Sequence, residues 1–208
     1  GIPTIYVEKD YWVTYAIKTI YDDAIGQDTV FKGGTALSKC NHDIKRFSED
    51  IDLVLLRRDN ETNGQMTKKI KTVGAIVSET FPEIQIEGLT QKFGMNRKTV
   101  HTYHKEFQGD YGQVRDCIVL EATWLGNSEP YQEREIISMV GEMMQSSQKE
   151  MAEENGLMPF KVKVLATERT ICEKIMSLVR FSYGEDRIVD LQNKIRHTYD
   201  LHQLLQQK

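Results

Sequence analysis

The sequence has few cysteines, no long apolar run and no excess of basic residues, and each of these absences excludes a class of protein. The three cysteines, Cys40, Cys117 and Cys172, lie far apart and form neither a CxxC pair nor a disulfide framework. They are typical of buried structural thiols in a reducing cytoplasm. No apolar run reaches the about 20 residues that span a membrane, and no secretory signal is visible. We therefore expect a cytoplasmic protein without a membrane partner.

The charge balance is slightly acidic, with a net charge of −4 at pH 7. A chain of this charge has no generally basic surface for nucleic acid, so any such contact must be local. Neither an internal repeat nor a low-complexity tract is present. The 208 residues are 39% hydrophobic, which is enough for one large core or two small ones.

A glycine turn is the first feature with chemical meaning. Residues 30–31 are typical of a strand end, Gly33 and Gly34 of a tight turn, and residues 35–39 of the start of a helix. Glycine lets the backbone approach a ligand closely, and N–H groups at the start of a helix attract phosphate. The Walker pattern G-x-x-x-x-G-K-S/T is not satisfied, so a P-loop is excluded. The turn therefore predicts a phosphate site of another kind.

Two aspartates follow this turn at the start of a predicted strand. Asp50 and Asp52 flank Ile51 and lead into an apolar run at residues 53–56. Residues i and i+2 of a strand project to the same face, so the two carboxylates would lie side by side and repel each other. A divalent cation removes this conflict, because Mg²⁺ or Mn²⁺ prefers hard oxygen ligands. A phosphate site beside a metal-binding carboxylate pair implies a nucleoside triphosphate.

The middle of the chain predicts further strands. After a helix over residues 66–82 and a strand over residues 84–89, residues 97–107 and 114–124 have the composition of a β-hairpin. Basic and aromatic residues are interleaved along its first arm, which could hold a phosphate backbone or stack a base, although ordinary charges on an edge strand are the simpler interpretation. Glu121 interrupts the apolar second arm, where a carboxylate is costly unless it has a partner.

The C-terminal part is predicted to be mainly helical from residue 133, with a short edge strand over residues 160–165. A helix with Thr167 as its N-cap would bury an apolar stripe that includes Ile175. Lys174 falls on the same side of this helix, where its ammonium group would either extend to the rim or reach a bound anion.

The last helix places Arg196 and Asp200 four residues apart, so that their side chains can meet on one face. The basic residue comes first, which is the weaker orientation for supporting a helix. The pair therefore has no obvious role in helix stability. A plain surface ion pair is the alternative interpretation.

The glycine turn and the aspartates together resemble a known motif. The segments FKGGTALSK (31–39) and RFSEDIDLVL (46–55) resemble the DNA polymerase β-like nucleotidyltransferase superfamily and, more narrowly, the AbiEii/AbiGii toxin family of nucleotidyltransferases. The resemblance extends to the opening helix at residues 8–12, to Glu173 and Lys174, and to the run RHTYDL (196–201).

The resemblance implies an α/β (α+β) nucleotidyltransferase fold, in which a small mixed β-sheet is flanked by helices. Residues 1–125 would form the core with both motifs, and residues 126–208 a mainly helical part that completes the active site. It further implies Mg²⁺-dependent transfer of a nucleoside monophosphate from an NTP to an RNA acceptor, with the tRNA 3′ end as one candidate, and a cognate antitoxin as protein partner. Nucleotidylation of a small molecule or a protein, and a non-catalytic nucleotide-binding module of a toxin–antitoxin or phage-defence system, are the alternatives.

The resemblance also implies roles for individual residues. The metal ligands would be Asp50, Asp52 and a third carboxylate from a neighbouring strand, with Glu121 as the first candidate and Asp116 as the second. Lys174 would bind the triphosphate, and Asp200 would hold Lys174 or assist the acceptor. The predicted catalytic residues are Asp50, Asp52, Glu121, Lys174 and Asp200. The predicted nucleotide-binding residues are Gly33, Gly34, Thr35, Ser48 and Lys174.

Overall fold

The computed structural model describes residues 1–40, 42–112, 114–126 and 128–206, which fold into one mixed sheet with helices packed against it. The strands within these residues are β1 (Thr29–Lys32), β2 (Ile51–Leu55), β3 (Glu83–Ile84), β4 (Gln91–Lys92), β5 (Asn96–His101), β6 (Ile118–Thr123), β7 (Tyr131–Ile136) and β8 (Phe160–Leu165). The α-helices are α1 (Thr4–Asp22), α2 (Gly33–Lys39), α3 (Asn63–Thr80), α4 (Met139–Gln145), α5 (Lys149–Glu154), α6 (Thr167–Phe181), α7 (Arg187–Gln192) and α8 (Ile195–Gln206). This architecture confirms the predicted fold class.

The sheet has the strand order β3-β5-β6-β2-β1-β8-β7, and β4 pairs with β5. The central strand β2 runs antiparallel to β1 and parallel to β6. Strand β6 runs antiparallel to β5, which confirms the predicted pairing of these two segments, although the strands end at His101 and begin at Ile118. As a result, the strand that follows the glycine turn lies between two strands that can supply further side chains to one site.

The main core lies between the sheet and the helices α1 and α3. Helix α1 buries Val13, Ala16, Ile17 and Ile20 at helical spacing. Strand β2 alternates, so that Ile51, Leu53 and Leu55 join this core. Because successive residues of a strand face opposite sides, Asp52 lies on the other face of the sheet. A smaller apolar cluster of Leu37, Ile44 and Leu204 joins α2 to α8.

Two local predictions in the first half of the chain are wrong or incomplete. The strand predicted over residues 84–89 is limited to Glu83–Ile84. The N–H groups of Leu89 and Thr90 donate to the carbonyl of Ile86, which closes a turn instead. The thiols of Cys40 and Cys117 are buried as predicted, whereas Cys172 is exposed.

The C-terminal part is less helical than predicted. Residues 131–136 form β7, and β8 lies between β1 and β7 rather than at the edge. The edge position was predicted because alternating lysines in β8 indicate that one of its sides faces solvent. An internal strand also has a solvent-facing side when helices cover only one face of the sheet. The division of the chain at residue 125 stays a prediction. Among the described helices, none is long and apolar enough to cross a bilayer.

Helix α6 also differs from its prediction. Its N-cap residue is Ala166 rather than Thr167, and Ile175 is exposed rather than buried. The residues that α6 buries are Thr170 and Lys174. The predicted apolar stripe is therefore only partly correct, since Ile171 packs against the Leu37, Ile44 and Leu204 cluster while Ile175 is exposed. Lys174 is buried in an ion pair, which is described below.

Candidate active site

Asp52 lies at the centre of three neighbouring strands. Its register partners are Lys32 on β1 and Glu121 on β6. Glu121 in turn lies opposite Lys98 on β5, whose Nζ is 3.4 Å from Glu121 Oε2. The structure therefore brings Asp52 and Glu121 side by side, which agrees with the choice of Glu121 as the first candidate for a third carboxylate on a neighbouring strand. Asp116 lies before β6, where it pairs with Lys105 at 2.7 Å.

The environment of Asp52 disfavours its negative charge. Burial raises the pKa of Asp52 to about 7, and the carboxylates of Asp50 and Glu121 act in the same direction. Lys32 and Lys98 oppose this shift without cancelling it. The three carboxylates are thus close enough to repel one another, and the local cations do not balance them.

Asp50 immediately precedes β2 and is held by a neighbouring arginine. Arg115 Nη1 donates to Asp50 Oδ1 at 3.1 Å and to Oδ2 at 3.4 Å. The preceding residue, Glu49, is buried, and its Oε1 accepts a hydrogen bond from the backbone N–H of Arg115 at 3.0 Å. The segment that carries Asp50 is therefore tied to the chain that enters β6.

A buried lysine from α1 supports the same junction. Lys9 is fully buried, and its Nζ lies 3.6 Å from Glu49 Oε2. The same ammonium group donates to the carbonyl of Arg115 at 3.0 Å and to that of Cys117. Burial lowers the pKa of Lys9, while Glu49 acts to raise it. The position of Lys9 in the sequence does not indicate this role, because a charged residue early in an amphipathic helix usually faces solvent.

The donor set suits a hard divalent cation. Asp50, Asp52 and Glu121 supply carboxylate oxygens, which Mg²⁺ and Mn²⁺ prefer. In this structure, however, Asp50 is paired with Arg115 and Glu121 with Lys98, and the described residues contain no group of three or more His, Cys, Asp or Glu side chains gathered around one point. Metal binding would require these two carboxylates to exchange their basic partners for the cation.

The glycine turn packs directly against these side chains. Gly33 has φ of 78°, and a Cβ placed on it would collide with Asp52 Oδ2. A Cβ on Gly34 would lie 2.5 Å from Arg46 Nη2 and 2.9 Å from Ser48 Oγ. Thr35 Oγ1 donates to Ser48 Oγ at 3.0 Å. The structure thus gathers the predicted phosphate-binding residues beside Asp52, and only glycine fits at the turn.

Replacing Gly33 by alanine is expected to damage both the fold and the site. The new Cβ would meet Asp52 in a backbone conformation that L-residues rarely adopt, which should cost about 1–3 kcal/mol of stability and displace the carboxylate. Gly88→Ala is the matched control, since Gly88 has φ of 75° but no atom within 4 Å of its Cβ position. Chemical denaturation of both variants measures the difference. Equal losses of stability in the two would show that Asp52 does not restrict the turn.

A buried ion-pair cluster connects the two C-terminal helices to the turn. The fully buried carboxylate of Asp200 on α8 accepts hydrogen bonds from Arg46 Nε at 2.7 Å and Arg46 Nη2 at 2.8 Å. Lys174 Nζ on α6 donates to Asp200 Oδ2 at 2.8 Å. Burial alone would raise the pKa of Asp200, but Arg46 and Lys174 hold it below its usual value. We call Arg46, Lys174 and Asp200 the buried triad.

The triad decides between the interpretations offered by the sequence. Asp200 was predicted either to hold Lys174 or to assist the acceptor, and in the structure it holds Lys174. It is too deeply buried to take part in the surface ion pair that was the alternative interpretation. Lys174 is buried against this partner rather than extended to the rim. Arg46 was missed as a functional residue, although it lies in the quoted motif segment. A second contact ties α6 to the site, since Lys32 Nζ lies 3.1 Å from Glu173 Oε2.

The chain is similar to one known family and to two solved structures. The family described as "Nucleotidyl transferase AbiEii toxin, Type IV TA system" matches residues 16–208. A crystal structure of JHP933 from Helicobacter pylori is 14% identical, with a TM-score of 0.49 over 97% of this chain and 66% of that chain. MenT4, a nucleotidyltransferase toxin from Mycobacterium tuberculosis, is 17% identical, with a TM-score of 0.47 over 90% of this chain and 61% of that chain. No curated protein matches the sequence.

The chain spans less than two thirds of the length of either solved structure. The family match, in contrast, covers most of the chain, including both motif segments, Lys174 and Asp200. Nucleotidyltransferase is the enzyme class of this family, as the motifs predicted. The chain therefore belongs to the AbiEii family of nucleotidyl transferase toxins.

Proposed function

We propose that this chain is a divalent-metal-dependent enzyme that transfers a nucleoside monophosphate from an NTP to a hydroxyl group of an RNA acceptor. The observation that carries the proposal is the placement of Asp52 between the glycine turn and Glu121. A glycine turn that can accommodate phosphate lies there beside a carboxylate whose negative charge is disfavoured by burial and by its carboxylate neighbours. Nucleotidyl transfer needs these two features together.

The phosphates would lie against the turn. Gly33 and Gly34 leave room for close approach, while the hydroxyl of Ser48 and the guanidinium of Arg46 border the Cβ position of Gly34. The buried hydroxyl of Thr35 would orient Ser48 by donating to it. Lys174 would add positive charge behind Arg46, and the two cations would stabilise the negative charge that develops on the leaving pyrophosphate. Fixed partners hold these cations in place, so little reorganisation is needed during the reaction.

The carboxylates would hold the metal and orient the reacting groups. Asp50, Asp52 and Glu121 are the proposed ligands, and the bound ion would polarise phosphoryl oxygens and stabilise the developing charge. In the reaction, the acceptor hydroxyl releases its proton to solvent or to a neighbouring carboxylate, and its oxygen forms a bond to the α-phosphorus of the NTP. The bond from that phosphorus to the oxygen that bridges the α- and β-phosphates breaks, and pyrophosphate leaves with that oxygen. Lys9, Glu49 and Arg115 would keep Asp50 at the correct place beside β6.

Local basic residues support the proposed acceptor, and the description of the family supports the proposed partner. An RNA acceptor, with the tRNA 3′ end as one candidate, is consistent with the basic residues of β5, where Lys98 lies next to Glu121. The family is described as a type IV toxin–antitoxin system, so we propose a cognate antitoxin encoded alongside this chain. Growth arrest on expression, relieved by that second protein, would be the cellular result.

A labelling experiment tests the proposal. The protein is incubated with each labelled ribonucleoside triphosphate in turn, with Mg²⁺ and total cellular RNA, and with EDTA in a parallel reaction. We expect label in RNA that EDTA abolishes, and the size of the labelled RNA identifies the acceptor class. Asp22→Asn is a control for substitution as such, since Asp22 pairs with Lys18 at the exposed end of α1. Label confined to protein or small molecules would contradict the RNA acceptor.

A further inference from the structure

We propose that a cavity beside the glycine turn binds a nucleobase, and this inference rests on the proposed nucleotidyl transfer. The cavity has a volume of about 420 Å³ and lies between the start of α1, the segment before Ser48 and the start of α8. Its walls include the aromatic rings of Tyr6, Phe47 and Tyr199 and the guanidinium of Arg46. The volume lies within the range of about 300–1,000 Å³ that is usual for small-molecule sites.

The aromatic walls form a preorganised stacking surface. The rings of Tyr6 and Phe47 are stacked on each other, with centroids 5.2 Å apart and an interplanar angle of 20°. The hydroxyl of Tyr6 donates to the carbonyl of Tyr111 at 3.1 Å, which fixes the orientation of its ring. Proteins hold unpaired bases by stacking them on such aromatic faces, with arginine planes as additional partners.

The cavity shares one wall with the phosphate-accommodating turn. Arg46 lines the cavity, and its Nη2 lies 2.5 Å from the Cβ position of Gly34. The adjacent residue, Gly33, packs on Asp52. A single side chain therefore separates the cavity from the space where phosphates would bind. Asp200 holds that side chain from behind with two hydrogen bonds, so the wall is rigid.

The charge of the lining distinguishes this cavity from its neighbour. Among the described residues that line it, the charged ones are Arg46 and Arg196, and the remaining ones are aromatic or aliphatic. A second cavity, of about 470 Å³, shares Tyr6, Arg46 and Phe47 with the first. Its lining contains the basic residues Lys39 and Lys45 but also the acidic residues Asp10 and Glu142, whereas the first cavity has no acidic residue among its described lining. A base that is attached to phosphates carries negative charge nearby, so it suits the first cavity better. The base could belong to the incoming NTP or to the terminal nucleotide of the acceptor.

Two substitutions test the site from opposite directions. Phe47→Leu keeps an apolar side chain but removes the aromatic face, and Phe47→Tyr restores it. Ile195→Trp fills the cavity from a residue that is 66% exposed, so the substitution should not disturb the core. Ile188→Trp is the matched control, since Ile188 is 72% exposed on α7 and lies outside the cavity.

The readouts are the affinity of the full chain for each NTP and for inorganic tripolyphosphate, and the KM values for NTP and for RNA. If the cavity holds the NTP base, Phe47→Leu and Ile195→Trp should weaken NTP binding about tenfold but change tripolyphosphate binding by no more than about twofold. The NTP affinities of Phe47→Tyr and Ile188→Trp should stay within about twofold of that of the unaltered protein. If it holds the acceptor base, the KM for RNA rises by a similar factor instead. Unchanged NTP affinity together with unchanged KM values, or equal losses for NTP and tripolyphosphate, would overturn the proposal.

The two hypotheses fail in different ways. Loss of NTP affinity in the two cavity variants of a protein that transfers no label to RNA would support the base site and contradict the proposed function. Metal-dependent labelling of RNA that neither variant alters would support the proposed function and contradict the base site. The NTP-binding measurements need no turnover, so they test the NTP base site whether or not the proposed activity is found, and the affinity of the full chain for RNA tests the acceptor base site in the same way.

Discussion

Asp52→Asn is expected to lower the rate of nucleotidyl transfer by about 10³-fold or more, equivalent to about 4 kcal/mol of transition-state stabilisation. Asparagine keeps the size of the side chain and its fit against Gly33, but it removes the negative charge that would hold the proposed metal. Single-turnover transfer at saturating NTP measures the loss. Activity within tenfold of the unaltered protein would show that Asp52 is not a ligand of the catalytic metal.

The same variant should fold as well as the unaltered protein or better. Burial and the neighbouring carboxylates of Asp50 and Glu121 disfavour the charge on Asp52, so removing that charge relieves repulsion in the absence of metal. Chemical denaturation in the presence of EDTA measures this effect. A large loss of stability would mean that the loss of activity reflects the fold rather than the chemistry.

Asp200→Asn is expected to destabilise the protein by about 3–5 kcal/mol, because it leaves Arg46 and Lys174 without their shared carboxylate. Such a loss is a large part of the free energy of unfolding of an ordinary domain. It should also lower activity, since Arg46 would no longer be held against the turn. Denaturant titration at neutral pH measures the stability, and labelling at low temperature measures the activity of the folded fraction.

Controls separate the buried triad from an ordinary ion pair. Asp22→Asn removes the carboxylate of an exposed pair with Lys18 and should change stability by less than about 1 kcal/mol. Lys174→Met leaves Arg46 paired with Asp200, so we expect it to cost less than Asp200→Asn. The double variant should be less than additive, because both changes act on one contact. A loss below about 1 kcal/mol for Asp200→Asn would contradict a structural role of the triad.

The parts of the site that could be predicted from the sequence depend on short-range spacing. The glycine turn and the position of Asp52 on a buried strand follow from residue type and the two-residue period of a strand. The spacing also placed Lys174 on the apolar side of α6, where it is buried, although it left open whether the ammonium group extends to the rim or reaches an anion. These features are local, so a single sequence contains the information that specifies them.

The remaining features depend on contacts between distant parts of the chain. Arg46 and Asp200 are separated by 154 residues, and Lys9 meets the carbonyl of Cys117 across 108 residues. No local pattern identifies such partners. Strand β7 was missed for a related reason, because it is mostly exposed and obtains its structure from pairing with β8. The register that places Glu121 beside Asp52 is likewise set by the sheet as a whole.

The central claim is that the chain transfers a nucleotidyl group, and the position of the label tests it most directly. One NTP that supports the reaction is supplied with Mg²⁺ and acceptor in two forms, labelled at the α-phosphorus or at the γ-phosphorus. We predict that α-label enters the acceptor and that γ-label is released as pyrophosphate, with both events lost in Asp52→Asn. Transfer of γ-label to the acceptor, or hydrolysis without any transfer, would contradict the assignment.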